Sequence, residues 1–445
     1  MDRHGAAGLG LVVRVLIRDC DDMLSSIRVE DWKSIKSATL NLDPLTVLIG
    51  TNSSGKSNIL DALAFLSRIA SGTLLTSALK GDGAISPMRG GLEWAPRRDG
   101  TRFRISATTR ADQYQDLTFT IECAITDGQC LIQSEQLVRT KFRPKAGGRR
   151  GAPTRPVQLF WTDEVSVGSP TVTARLYNSK RGAPRVLSRM SSVLFQLLTQ
   201  RTLAEIQDGL EIMADALRSI FILDPIPSNM RGFSPLSDRL APDASNVAGV
   251  LAALQSSIKA DVEAKLTRYV AELPEREIER VYAEKVGKFE SDAMLYCEER
   301  FGTGSTKQTV DARGMSDGTL RFIAIITALL TRPANSLLVI EEVDNGLHPS
   351  RSSLLLSMLA DEGQARAVDV LVTTHNPALL DAMGTALVPF ITVAHRDPKD
   401  GTTRLTLLED LGGLPKLLAW GLVGRISSQG LIEQALKAQS DAHSQ

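Results

Sequence analysis

With 445 residues, 43% of them hydrophobic and 23% charged, the chain has the material for a large buried core and falls outside the disordered class. Lys plus Arg number 51, as do Asp plus Glu, so no global charge draws the chain to nucleic acid or to an anionic membrane, and such a contact has to come from a local patch. The length predicts two or three lobes. The four cysteines, at 20, 123, 130 and 297, make no C-x-x-C pair and read as reduced thiols, which predicts a cytoplasmic protein.

In chain order, Leu9 to Ile17 is apolar but interrupted by Arg14 and followed by Arg18, Asp19, Asp21 and Asp22, so it is neither a membrane span nor a signal peptide. Met23 opens a strand-like segment and is expected to be the true start, with residues 1–22 an extension foreign to the native chain. Ser26 to Glu30 and Ser37 to Leu42 alternate apolar and polar residues and predict two strands. Asp43-Pro44 then leads into Leu45 to Ile49, an apolar run expected as a buried strand.

The run is followed by Gly50-Thr-Asn52-Ser53-Ser54-Gly55-Lys56-Ser57-Asn58, the pattern G-x-x-x-x-G-K-S. Backbone N–H groups of such a turn converge on a phosphate, where a Cβ at Gly50 or Gly55 is expected to crowd the ligand. A helix from Lys56 to about Leu66, with Ile59, Leu60, Leu63 and Leu66 on one face, aims its positive end at the same phosphates. Lys56 is expected on the β- and γ-phosphates and the Ser57 hydroxyl on Mg²⁺.

Ser71 to Asp99 is rich in Gly, Ser, Pro and Arg and reads as loops. Thr101 to Val138 returns to a period of two (Phe103, Ile105; Leu117, Phe119, Ile121; Cys130, Ile132) with a turn at Thr126-Asp127-Gly128, and predicts an antiparallel sheet layered on the nucleotide strand. Arg139 to Arg155 holds seven basic residues and no acid. It reads either as a solvated, mobile hairpin tip or as a contact for a phosphate backbone such as DNA. Helical spacing dominates Val186 to Leu273, broken by the proline-rich connector Asp224 to Gly232. The domains expected are therefore a first lobe over 23–185, a helical insertion over 186–275 and a second lobe over 276–445.

Ile278 to Cys297 reads as extended. Ser316-Asp317-Gly318 is a polar turn at the start of an apolar helix, a second anion-binding end. Ser336 to Ile340 is a strand of the buried parallel type that runs into Glu341-Glu342, and Val370 to Val372 is another that runs into Thr373-Thr-His375-Asn-Pro377. Strands ending in acids, a His and a phosphate loop define an open α/β sheet with its site at the carboxyl ends. Glu341 is assigned to the metal and Glu342 to the water that attacks the γ-phosphate, with His375 as a γ-phosphate sensor. Because the Ser316 turn is an anion end without a nucleotide of its own, it is expected to face one held by a second copy of the chain.

Taken together, the phosphate loop, Met315-Ser-Asp-Gly-Thr-Leu-Arg321 as a signature, the strand to Asn345 and Thr374-His-Asn-Pro377 resemble the ABC-type ATPases of the RecF, SMC and OLD group. More narrowly, Glu342-Val-Asp-Asn-Gly-Leu-His-Pro349 is similar to the stand-alone AAA family ATPases of bacterial anti-phage operons. The resemblance implies an ATPase head made of a mixed β-layer and a parallel P-loop sheet, using ATP and Mg²⁺ and working as a homodimer or higher even oligomer. It implies that Ser316 and Gly318 of one subunit meet the γ-phosphate bound at Lys56 of the other, and that Asp344 and Asn345 lie at the dimer seam. Asp317 stands where the family has the first Gly of its signature, and Glu341 where it has Asp. The family's metal-contacting Gln has no counterpart between residues 71 and 115, Gln113 and Gln115 being poor candidates. Only about seventy residues follow His375, too few for the nuclease domain of the OLD family, so a nuclease or toxin is expected as a partner protein. A nucleotide-gated scaffold with little turnover shares every motif. A transporter motor is disfavoured, since the signature lies about 260 residues beyond the phosphate loop.

Overall fold

The computed structural model describes residues 23–166, 168–272, 278–300, 307–345 and 351–442. The expected extension over 1–22, and Gly346 to Pro349 of the acidic motif, lie outside the described residues.

The chain opens with β1 (Met23–Trp32) and β2 (Ile35–Asn41), an antiparallel hairpin with alternating burial. β3 (Leu45–Ile49) follows with every residue buried and delivers the phosphate loop to α1 (Lys56–Ala70). Three long strands come next, β4 (Arg102–Asp112), β5 (Gln115–Thr126) and β6 (Gln129–Pro144). The two-residue turn between β5 and β6 is Asp127-Gly128, both with positive φ, as a tight hairpin on twisted strands requires. β7 (Val157–Thr162), β8 (Thr171–Leu176) and β9 (Ala183–Ser188) complete this antiparallel wing. After α2 (Ala204–Arg218) the chain makes the short β10 (Phe221–Leu223), then α3 (Val247–Ala253) and α4 (Ser256–Ala271). A separate small sheet holds β11 (Ile278–Val286), β12 (Asp292–Arg300) and β13 (Lys307–Asp311). The rest is α5 (Asp317–Thr331), β14 (Ser336–Ile340), α6 (Ser352–Arg366), β15 (Val368–Thr374), α7 (Pro377–Met383), β16 (Ile391–Arg396) and β17 (Thr403–Leu407), before three short C-terminal helices.

The large sheet runs β9-β8-β7-β6-β5-β4-β1-β2-β17-β16-β3-β15-β14-β10. From β16 to β10 it is parallel, with β3 between β15 and β16, Val47 facing Val372 on one side and Ile391 on the other. Both faces are covered. Leu45, Val47 and Ile49 enter one core with residues of α5 and α6, whereas Leu48, Leu337, Val339 and Leu371 enter the other with α1. Burial on both faces explains why β3, β14 and β15 read as unbroken apolar runs. Each such side chain contributes about 1.5–3 kcal/mol.

The antiparallel wing is not a second layer, as the sequence suggested, but an edge-to-edge continuation of the parallel sheet. The join is β2 with β17, where Thr403 pairs with Ile35 and its N–H donates to the Ser34 carbonyl at 2.8 Å. The stretch read as a helical insertion is helical over about half its length, opens on the end of β9, and also supplies β10, the parallel edge strand beside β14. A strand of three residues leaves too short a pattern to separate from the helices around it. The small sheet packs with α3, α4 and α5 in the same core as the parallel strands.

The basic segment 139–155 is ordered, not a mobile tip. β6 extends to Pro144, and Arg150–Pro153 pairs back onto it. Arg139 is ion-paired with Glu205 of α2. Arg150 donates to Asp116 at 2.6 Å and to the carbonyls of Gln113 and Asp112, while stacking on the Phe142 ring. Lys141, Arg143, Lys145, Arg149 and Arg155 remain exposed.

Glu135, on β6 and fully buried, accepts from the Ser192 hydroxyl (2.8 Å) and from the N–H groups of Val193 (2.9 Å) and Leu194 (2.7 Å), so it caps the helix Val193–Leu198 across the chain. Burial pushes its carboxyl up to about 7, against the pull of those three donors. A folded pKa above the ordinary value means that stability from this group is full below about 4.5 and is lost as pH rises through about 7, roughly 3 kcal/mol in all. In thermal unfolding from about pH 5 to about pH 8, the advantage of the parent over Glu135→Gln is expected to shrink as pH rises. A constant gap would show that Glu135 does not titrate there.

Candidate functional site

The phosphate loop is shaped by its neighbours in the sheet. Gly50 (φ +147°) and Gly55 (φ +106°) occupy backbone conformations that glycine adopts freely. A Cβ on Gly50 would lie 2.3 Å from the Ala394 carbonyl oxygen of β16, and one on Gly55 2.2 Å from the Thr403 hydroxyl of β17. The glycines are thus required by packing within the protein, a constraint additional to the crowding of ligand that the motif suggests. Around the loop, Arg396 Nε donates to the Ser53 carbonyl (2.9 Å), and the Thr403 hydroxyl donates to that of Ser54 (2.8 Å). Asn58 donates to Ser34 Oγ at 2.6 Å, and the Trp32 indole to the Asn58 carbonyl at 2.8 Å. The β1–β2 and β16–β17 turns therefore brace the loop from outside, and neither carries a motif signal.

Inside the loop, Lys56 is buried and its ammonium donates to the carbonyls of Gly50 (2.6 Å) and Thr51 (3.2 Å). Burial lowers its pKa, with the charges of Glu342 and Glu341 pulling the other way. Ser54 is 1% exposed and its hydroxyl has no hydrogen-bond partner among the described residues. An orphaned buried hydroxyl beside converging loop residues fits a phosphate oxygen, which supplies the missing acceptor.

Glu341 and Glu342 reach the cleft because β14 ends beside β15 and close to β3. Ser57 Oγ donates to Glu341 Oε1 at 2.6 Å, although the two are 284 residues apart. Two hard oxygen donors converging at the start of α1 fit magnesium chemistry, and Ser57 and Glu341 are the residues that would hold the ion. Glu342 sits at positive φ (+47°) in the turn after β14, where its N–H donates to the Thr373 hydroxyl at 2.9 Å. Its carboxylate is held by Asn345 alone among the described residues, at 3.5 Å, which leaves it available to a water. Asn52 to Asn58, Glu341, Glu342, Thr373 and Arg396 enclose a cleft of about 280 Å³.

Some of the predicted residues do not line it. His375 is exposed one residue past β15. Asp344 is turned inward, accepting from the Thr374 hydroxyl at 2.6 Å, whereas Asn345 is exposed. Ser316, Asp317 and Gly318 are also absent from the cleft. Ser316 is the N-cap of α5, accepting from the Thr319 N–H at 3.1 Å, and is itself exposed. The signature turn is fixed in place by Arg231 of the proline-rich connector, which donates to the carbonyls of Ala312, Arg313 and Met315 and pairs with Asp317 at 2.6 Å. Asp317 thus serves as the anchor point of that clamp, a use for the carboxylate that departs from the usual glycine.

Three contributors escaped the sequence reading. Arg89 lies in the loop-rich stretch and donates to both oxygens of Glu341, at 2.9 and 3.1 Å, and to Asp61 of α1. Asp224 follows β10, and its pKa is raised by burial and by the Glu341 charge, which places it at the same carboxyl edge. Arg396 ends β16. The strand-then-acid pattern of Leu223-Asp224 was the one available signal among them.

Two family models match the chain, an AAA ATPase domain over residues 23–90 and an AAA domain described as putative AbiEii toxin, Type IV TA system, over 211–381. These are the two parts that bring Ser57 and Glu341 together. Both matches are to ATPase domains, and they support an ATP-binding ATPase. Solved structures similar to this chain include an SmcHead bound to the C-winged helix domain of ScpA, 13% identical with a TM-score of 0.46, over 86% of this chain and 97% of that one. An SMC head domain from Thermotoga maritima is 14% identical with a TM-score of 0.38, over 86% and 98%. The Smc head domain with an extended coiled coil bound to the C-terminal domain of ScpA, from Pyrococcus furiosus, is 12% identical with a TM-score of 0.47, over 89% and 99%. No curated protein matches in sequence. No helix among the described residues is long and apolar enough to cross a membrane.

Proposed function

We propose that this ATPase is a nucleotide-driven dimerising head that hydrolyses ATP with magnesium and passes its closed or open state to a partner effector. The observation that carries the reading is the half-site. The P-loop, Glu341 and Glu342 share one cleft, whereas the exposed N-terminus of α5 with Ser316 lies outside it and is free to meet a γ-phosphate held by a second copy. Magnesium held by Ser57 and Glu341 would neutralise charge on the β- and γ-phosphates. Lys56 binds the same phosphates, Glu342 orients and deprotonates the attacking water, and His375, at the rim, contacts the γ-phosphate when two heads close. Asn345, exposed beside Glu342, lies at the seam, with the inward-turned Asp344 fixing the turn behind it.

The matched family model, described as a putative AbiEii toxin of a Type IV TA system, favours a defence task over DNA repair, and the resemblance of the motifs to ATPases of anti-phage operons brings in the toxin or nuclease partner. The five exposed cations of the β6 hairpin favour DNA as a further contact. The scaffold with little turnover is favoured by one observation, the Arg89 cation lodged on Glu341.

Shared sites are tested by complementation. Lys56→Ala disables the cleft, and Ser316→Asp keeps a capping side chain while placing negative charge against the phosphate. Each is expected to be inactive alone, and their equimolar mixture to recover about a quarter of the parental rate, since half of the dimers are mixed and each carries one whole site of two. A mixture as dead as its components would overturn the composite site.

A further inference from the structure

The Arg89 side chain makes the densest set of ionic contacts at the site. Its Nη1 donates to Glu341 Oε1 and Oε2 at 2.9 and 3.1 Å. Nε donates to Asp61 Oδ1 and Oδ2 at 3.2 and 3.3 Å, Nη2 to Asp61 Oδ1 at 3.0 Å, and Nη2 to the Ser57 carbonyl at 3.4 Å. Lys33 pairs with the same Asp61 and donates to the Arg89 carbonyl at 2.7 Å, so backbone and side chain are both held. Asp61 is buried on α1, one turn beyond Ser57 and on the same face. Burial alone would lower the Arg89 pKa, but the bonds to Glu341 and the charge of Asp61 reverse this and raise it.

Glu341 Oε1 is therefore claimed twice, by the Ser57 hydroxyl that belongs to the metal position and by the Arg89 guanidinium. A carboxylate that neutralises a guanidinium has little charge left for a divalent ion, and a divalent ion at Ser57 and Glu341 would repel a cation bonded to the same oxygen. Two cations thus compete for one carboxylate, and Asp61 gives the displaced one somewhere to stay. Arg89 side chain is half exposed, which leaves it room to swing.

We propose that Arg89 is an internal competitor of magnesium: it neutralises Glu341 until the metal–nucleotide complex arrives, and then pivots about Asp61 away from the carboxylate. This rests on the nucleotide-binding reading. The device makes metal entry conditional on nucleotide, because the phosphates supply the extra ligands that outbid the guanidinium.

The test reads the metal itself. Mn²⁺ is titrated into the full-length protein in the presence of ADP, and free Mn²⁺ is followed by electron paramagnetic resonance. In Arg89→Gln the midpoint is expected about tenfold lower than in the parent, as for a site that is about nine-tenths occupied by its competitor. Arg89→Lys, which keeps the charge but loses the fork, is expected to fall between them. ADP affinity measured in EDTA separates the two readings. If ADP binds and the Mn²⁺ midpoint is unchanged or higher in Arg89→Gln while Arg89→Lys follows the parent, the competition is refuted. If ADP binds the parent neither in EDTA nor with Mn²⁺, the nucleotide reading itself fails. A variant that does not fold, seen as a collapsed unfolding midpoint, is replaced by Asp61→Asn with Lys33→Gln, which loosens the pivot and keeps the net charge of the cluster; there too, an unchanged Mn²⁺ midpoint refutes the proposal.

Discussion

Glu342→Gln is expected to lower steady-state ATP hydrolysis by about 10²–10³-fold, the loss that follows removal of a positioned general base. Nucleotide affinity is expected to hold within a few-fold, because the proposed binding residues are Lys56, Ser57 and Glu341 and Gln keeps the shape at position 342. The backbone there is settled independently of the side chain: the Glu342 N–H is bonded to Thr373 and its carbonyl accepts from the Asn345 N–H at 2.9 Å. The variant should therefore trap ATP and accumulate the closed dimer, which light scattering with and without ATP reads directly. Phosphate release at the parental rate would remove Glu342 from the role of base and return attention to Glu341.

Gly50→Ala is expected to cost about 3–5 kcal/mol, the sum of a strained backbone and of a methyl driven into a main-chain oxygen that has no room to retreat. The oxygen is that of Ala394, at 2.3 Å from the added Cβ, in the strand hydrogen-bonded to β3. Gly83→Ala is the control, since a Cβ there meets nothing within 4 Å. The comparison separates two reasons for one glycine. Packing predicts a lower unfolding midpoint even without nucleotide. An unchanged midpoint with lost nucleotide binding would mean that the glycine makes space for the ligand alone.

The parallel core was legible because its strands are buried on both faces. Leu45 to Ile49 and Ser336 to Ile340 were read to the residue, for a run of apolar side chains bounded by a turn leaves little choice of register. The P-loop and the pair at 341 and 342 were legible for a related reason, since each sits where such a strand stops. What stayed hidden is of another kind. Arg89 meets Glu341 across 252 residues and leaves a stretch without period, so its role exists only after the chain has closed. The same holds for Thr403, which reaches Ser34 and Ser54 from 369 and 349 positions away. β10 is too short to impose a period, and the basic hairpin gave a pattern of charge that says nothing of Asp116, Glu205 or Phe142, the partners that order it. Local sequence reports what a segment buries; it is silent on which distant ion it will meet.

The Arg231 clamp has a mechanical corollary. The signature turn is riveted by one guanidinium to a connector that leaves the sheet at Leu223, beside the end of β14 and hence beside the acidic pair. A pull on that connector, from a docked partner or from the helices it leads to, would tilt the α5 N-terminus without touching nucleotide. The acidic pair and the surface proposed to meet a second copy are in this sense geared together within one chain, and a ligand able to strip Arg231 from its carbonyls would leave the cleft intact while disengaging the drive.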